Sequence, residues 1–289
     1  RSTFDFVARR SLDNGQTWSP LFVVHHDVNN INLGSLVQDK QTGRLFLLYA
    51  INSSDIGLIA SSDEGLNWSK PTNITADVKL TTGVESWGLY APGPAPGIQL
   101  EHGPFAGRLI VTANHRHGFD RLMPSFTNTI YSDDHGQTWH RGGGMAETVA
   151  NYMTNEAAIV ERNNGELYMS MRVARSGDLR RAYAVSSDGG ATWTDAARDG
   201  VLTVPTVQGS LLRVNDNLIL FGAPSNTVDS TRREYTIWSS TDDAHTWTRR
   251  KTIFFDVASY SSLGLSEMNS RSCSGRAFGP SRRSRRLFQ

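Results

Sequence analysis

Cysteine is almost absent from this chain of 289 residues: the single copy is Cys273, so no disulfide can close within it. Excess charge is lacking too. Twenty-nine Lys and Arg face 28 Asp and Glu, a net of +1, which leaves no bulk field for nucleic acid or an acidic partner. No apolar run approaches the roughly 20 residues of a membrane-spanning helix. The chain starts at Arg1 with no Met and no signal-like segment, which implies that the true N-terminus is absent from it. The balance hides one asymmetry. Residues 266–289 carry Arg271, Arg276, Arg282, Arg283, Arg285 and Arg286 against Glu267, a net of +5, so the rest carries −4. A short basic run of this kind reads as a disordered tail before it reads as a nucleic-acid arm.

Repetition is what the chain has in abundance. Five segments, residues 11–18, 61–68, 132–139, 186–193 and 240–247, spell versions of Ser-x-Asp-x-Gly-x-Thr-Trp. The motif is a turn. Ser and Asp oxygens accept from nearby backbone N–H groups, Gly supplies φ > 0 at the tight point, and Trp re-enters the fold as an apolar plug. The fifth copy has Ala244 where the others have Gly, which predicts a looser turn. The box aspartates Asp13, Asp63, Asp134, Asp188 and Asp242 are 50, 71, 54 and 54 residues apart. Repeats of that length built from short strands read as blades of a β-propeller, each a four-stranded antiparallel sheet.

Between the third and fourth boxes the pattern predicts strands at 157–162, 166–172 and 181–187, with a turn at Asn163-Asn164-Gly165. Antiparallel pairing then puts every box at one end of the blades. The loops around residues 27–32, 51–55, 81–94, 114–124, 143–155, 173–180, 224–233 and 256–260 fall at the other end, where function is expected. Glu156 opens one strand and Arg172 ends the next, equidistant from Asn164, so they are approximate cross-strand neighbours. Arg232 precedes a third strand and Tyr260 is read as starting a new one, both at the same end. Trp87 and Tyr90 lie on a long loop there, and either shelve a ligand or plug the loop. His115 and His117 share one side of an extended segment, but no third ligand accompanies them, which weighs against zinc.

These residues resemble the sialidases (neuraminidases) of the bacterial and animal type. The resemblance rests on the five boxes, on Asn155-Glu156 with Arg172 sixteen residues later, on Arg232 before Thr236-Ile237, and on Tyr260-Ser261-Ser262-Leu263. Pro96-Gly97-Ile98-Gln99-Leu100 followed by Gly107-Arg108-Leu109 is similar too. It implies an all-β, six-bladed propeller over residues 1–265, of which this chain holds about four full blades and parts of two. It also implies an exo-α-sialidase that needs no cofactor and acts on sialylated glycoproteins, glycolipids or oligosaccharides, with Tyr260 as nucleophile, Glu156 as its base, and Arg172 and Arg232 binding the substrate carboxylate. Guanidinium forks suit that carboxylate, and a neutral phenol avoids the repulsion an anionic nucleophile would meet.

Two parts of the family pattern are not found. No Phe/Tyr-Arg-Ile-Pro segment occurs, and Asp5 lies too close to the first box to be the acid/base aspartate, so the chain is expected to start just after that residue. Past Leu265 the strand pattern stops, which implies a fragment or a tail read from intron or another frame. A trans-sialidase shares the same residues, and boxes also occur in non-catalytic glycan-binding or protein-interaction propellers. Glycosylation-type triplets at Asn52, Asn67 and Asn73 lean towards a secreted or lysosomal-like compartment.

Overall fold

The computed structural model describes residues 5–83, 86–120, 123–144, 153–174, 177–229, 231–267 and 285–288. The fold is all-β, and four blades stand in sequence as in a propeller. The first comprises Ile31–Gln38, Leu45–Ile51, Asp55–Ser61 and Thr72–Asn73; the third Met153–Glu161, Leu167–Ala174, Arg180–Ser186 and Ala197–Thr203; the fourth Ser210–Asn215, Leu218–Pro224, Arg233–Ser240 and Thr248–Val257. In the second blade, Trp87–Pro92 and Ile98–Gln99 both pair with Leu109–His117, which is followed by Phe126–Ser132 and His140–Gly144. That split strand, together with the helical turns Thr75–Val78 and Gly103–Phe105, accounts for the long interval between the second and third boxes. Asp5–Ala8 pairs with Phe22–His26 ahead of the first blade. Gly264–Glu267 pairs with Arg285–Phe288 after the fourth; the remainder of the basic tail, residues 268–284 and 289, lies outside the described residues.

Each full blade is sandwiched, so its central strands bury both faces. In Leu167–Ala174, the residues Leu167, Met169, Met171 and Val173 enter the cluster shared with the second blade, while Tyr168 enters the one shared with the fourth. This is the period of two expected of a strand. Burying each large aliphatic side chain contributes about 1.5–3 kcal/mol, so the interblade clusters are the principal source of cohesion.

The box turns behave as one device. In every copy the Ser hydroxyl donates to the Asp carboxylate at 2.7–2.8 Å. It also accepts the backbone N–H at the Gly position. The Asp then accepts from the backbone and side chain four residues on. The fifth turn is not looser. Ala244 adopts φ 62°, and its N–H reaches Ser240 Oγ at 2.9 Å. Local hydrogen bonding outweighs the left-handed penalty of roughly 1–2 kcal/mol. The Trp plugs are unequal: Trp139 and Trp247 are buried, whereas Trp18, with only a two-stranded sheet behind it, is 53% exposed.

The residue after the box Asp ties neighbouring segments together. Glu64 pairs with Arg10, and His135 Nδ1 contacts Asp39 at 2.9 Å. Gly189 O accepts from Arg108 at 2.8 Å, and Asp243 accepts Asn163 N–H at 2.7 Å. The boxes thus fix blade against blade at one end and leave the opposite loops free to carry chemistry.

Candidate active site

Glu156 reaches its position through an irregular hairpin. Met153–Glu161 pairs with Leu167–Ala174 in register from Ala157↔Met171 onwards, but the pairing shifts between Thr154 and Ala157. A bulge of this kind bends a strand and re-aims its side chains. Here the Asn155 side chain accepts the Glu156 N–H at 2.7 Å, replacing a ladder bond. Glu156 is left 6% exposed, a carboxylate that needs partners in a medium where an unpaired charge is costly.

Two side chains supply them. Arg172 Nη1 donates to Glu156 Oε2 at 2.6 Å, and the Tyr260 hydroxyl donates to Glu156 Oε1. The same Arg172 nitrogen lies 3.2 Å from Tyr260 Oη. Carboxylate, guanidinium and phenol therefore form one closed triangle from residues 88 and 104 positions apart in sequence. Arg232 completes the cluster from the other side, its guanidinium 5.6 Å from the Tyr260 ring centre. Its nitrogens donate to Thr206 O at 2.9 Å and Ser259 Oγ at 3.2 Å. The four residues singled out in the sequence are thus brought together. A small cleft lined by Arg172, Asp178, Thr206 and Val207 opens beside them.

Tyr260 does not start a strand. It sits in the connection between Val257 and Gly264 and is 46% exposed, so its hydroxyl is placed by loop geometry rather than by a ladder. Burial pushes the phenol up, and the hydrogen bond and charge of Glu156 push it further, to about 12 against the pull of Arg172 and Arg232. The resting group is a neutral phenol already hydrogen-bonded to a carboxylate.

Trp87 and Tyr90 are not at this cluster's surface. Tyr90 is fully buried and its hydroxyl accepts from Asn128 Nδ2 at 3.0 Å. Trp87 stacks on His115 with ring centres 3.7 Å apart and 11° between planes. Both belong to the core between the first and second blades, so the plugging role is the one the structure assigns. His115 is used in that stack. Among the described residues no group of three or more His, Cys, Asp or Glu is arranged to hold a metal. No helix among them is long and apolar enough to cross a membrane.

Sequence reasoning missed the residues behind the cluster. Gln208, 2% exposed, and Arg181, 1% exposed, carry no motif around them, and their partners lie tens of residues away.

The BNR repeat-like domain family matches residues 5–268. The chain belongs to that family. Among BNR-repeat proteins it is 32% identical to a sialidase of Micromonospora viridifaciens, over 89% of this chain and 42% of the relative. It is 26% identical to a sialidase of Bacteroides fragilis, over 90% and 52% respectively. Its fold superposes on a Hadza microbial sialidase, Hz136, with a TM-score of 0.75 and 28% identity, covering 90% of this chain and 54% of that one. The chain therefore spans about half the length of the curated relatives it matches.

Proposed function

We propose that this chain carries the nucleophile side of a retaining exo-α-sialidase site. The observation that supports it most is the closed Glu156–Arg172–Tyr260 triangle with Arg232 against the Tyr260 ring. A plain scaffold has no use for a carboxylate, two guanidiniums and a phenol converging from three connections. The sialidases to which the chain is similar support the choice of substrate class.

In this reading the sialoside carboxylate binds Arg172 and Arg232, which sets the anomeric carbon over Tyr260. The phenol oxygen attacks that carbon as the bond to the departing sugar breaks; the phenol's proton passes to Glu156, and the departing oxygen takes a proton from solvent. Arg172, touching both groups, stabilises the negative charge that moves from phenol to carboxylate. Water then attacks the anomeric carbon and loses its own proton to solvent. The bond to Tyr260 breaks, and Glu156 returns the proton to the phenolate. Two inversions give retention. The substrates are terminal sialic acids of glycoproteins, glycolipids or oligosaccharides, and the residues require no cofactor.

An acidic phenol departs from the anomeric carbon with little proton donation, so an aryl sialoside tests this half-site directly. The companion experiment is trapping with a fluorosialosyl fluoride, read by peptide mass spectrometry. The expected result is phenol release and a single adduct on Tyr260. Sialic acid bound with no adduct, or an adduct at another residue, would refute the assignment.

A further inference from the structure

The segment that bears Tyr260 has no strand neighbour to hold it. Backbone groups of Ala258, Ser261 and Leu263 are instead taken up by other parts of the chain. Ala258 N–H donates to Arg232 O at 3.0 Å, and Leu263 N–H to Ser210 Oγ at 2.9 Å. Between them stands one residue that grips both sides of a single peptide position. Gln208 Oε1 accepts Ser261 N–H at 3.1 Å, and Gln208 Nε2 donates to Ser261 O at 3.0 Å. A primary amide presents one acceptor and one donor in a plane. It therefore copies the pair of bonds that an antiparallel strand partner would make, on the residue next to Tyr260.

Gln208 is itself held rigidly. Gly209 packs so tightly that a Cβ there would fall 2.4 Å from the Phe221 ring. Val207 O accepts from Arg181 Nη1 at 3.1 Å. Arg181 is fixed by Ser170, whose hydroxyl accepts from Nε at 2.7 Å and whose carbonyl accepts from Nη2 at 3.1 Å. Ser170 lies two residues before Arg172 in the same strand, Leu167–Ala174. One strand thus carries the guanidinium that touches Tyr260 Oη and also anchors the amide that fixes the Tyr260 backbone. Tyr260 is nearly half exposed, so its packing alone leaves it free to swing away from Glu156.

We infer that Gln208 is the positioning residue of the Tyr260 segment, holding the phenol in register with Glu156 and Arg172 by acting as a one-residue strand partner. Its effect on turnover rests on the reading of Tyr260 as nucleophile; its effect on where the phenol sits does not.

Two variants test it. Gln208→Leu keeps the bulk and removes both bonds, and Gln208→Glu keeps the acceptor but turns the donor into a repelling oxygen. Folding is followed by thermal melting, sialic acid binding by calorimetry, and Tyr260 by its phenolate absorbance, identified by difference from Tyr260→Phe. Freed from Glu156, the phenol is expected to titrate below its wild-type value near 12 in both variants. Adduct formation at Tyr260 per bound molecule is expected to fall at least about 10-fold while the Kd for sialic acid changes less than about 3-fold. A phenol titration unchanged from wild type in a folded Gln208→Leu protein overturns the inference, as does a loss of binding equal to the loss of adduct. The titration needs no sugar, so if the wild type forms no adduct, the function reading fails while the titration alone decides the role of Gln208. Should Gln208→Leu not fold, the same readings on Gln208→Glu and on Ser210→Ala, which releases only Leu263, decide it: Ser210→Ala is expected to leave the phenol titration in place.

Discussion

The hydroxyl of Tyr260 donates to Glu156 Oε1, 104 residues earlier in the chain, while Arg172 holds the other carboxylate oxygen at 2.6 Å. Removing the hydroxyl alone, by Tyr260→Phe, leaves the Arg172–Glu156 pair intact and leaves Arg232 against an aromatic ring. Sialic acid binding is therefore expected to persist within about 3-fold, and the two hydrogen bonds lost, to Glu156 and from Arg172, contribute about 1.5–3 kcal/mol each at most to stability. Release of an aryl leaving group is expected to fall by at least about 100-fold. Calorimetry beside a phenol-release assay checks both, and undiminished release would remove Tyr260 from the chemistry.

The two guanidiniums separate in their effects on folding. Arg172 partners a carboxylate that is 6% exposed, and stripping one member from a buried pair costs about 3–5 kcal/mol. Arg232 donates to a carbonyl and a hydroxyl, neutral groups, so its removal strands no buried charge. Arg172→Ala is expected to lower the melting temperature well below that of Arg232→Ala. Both are expected to weaken sialic acid binding by roughly 30-fold or more, as a charge-assisted contact of about 2–3 kcal/mol implies. Equal melting temperatures for the two variants would mean that Glu156 finds another partner when Arg172 is gone.

Local chemistry is what made the fold legible. The boxes close on themselves within eight residues, so Ser11, Asp13 and Thr17 announce a turn wherever the rest of the chain goes. Glu156 and Arg172 could be placed together because a single hairpin joins them. Arg232 and Tyr260 followed from the end of the blades at which their connections emerge. The remainder depended on packing between blades. Nothing in the loop around Trp87 and Tyr90 distinguishes a ring offered to a sugar from one stacked on His115. Gln208 and Ser261 are 53 residues apart, and a side chain that imitates a strand leaves no periodic trace. Ala244 looked like a defect because sequence shows the missing Gly but not the intact hydrogen bonds around it.

The box aspartates predict the acid limit of the fold. Hydrogen bonds from Thr17 hold Asp13 at about 2, and the Asn67 backbone and side chain do the same for Asp63. At Asp134 and Asp242 burial pushes upward, but the Thr138 and Thr246 donors outweigh it and leave both at about 2. An unfolded aspartate titrates near 3.8. Above that value the carboxylates are ionised in both states and their contribution to stability is complete; between about pH 4 and 2 the unfolded chain binds protons first and the contribution is lost. Melting temperature is expected to drop steeply over that window. Asp63→Asn is expected to lower stability at neutral pH and to flatten the acid slope. A slope unaltered by Asp63→Asn would place the acid-sensitive groups elsewhere.

Gly136 and Ala244 occupy the same position of the box turn with opposite freedom to change. Both have φ in the left-handed region, 77° and 62°, where an L side chain is strained by about 1–2 kcal/mol. Ala244 already carries its methyl in the core beside Trp247, and that burial, worth about 0.8 kcal/mol per methylene-sized group, offsets part of the strain. Ala244→Gly relieves strain and loses burial, so its stability is expected to stay within about 1 kcal/mol of wild type. At Gly136 a methyl would stand 2.3 Å from the Phe46 ring, which is itself edge-on to Trp139. Phe46 is 1% exposed and has no room to yield. Gly136→Ala thus adds overpacking of about 1–3 kcal/mol to the backbone strain, and a destabilisation of at least about 2 kcal/mol is expected in denaturant unfolding. Residue 136 faces the first blade across its turn, so a near-neutral Gly136→Ala would mean that the first and second blades can part at that point.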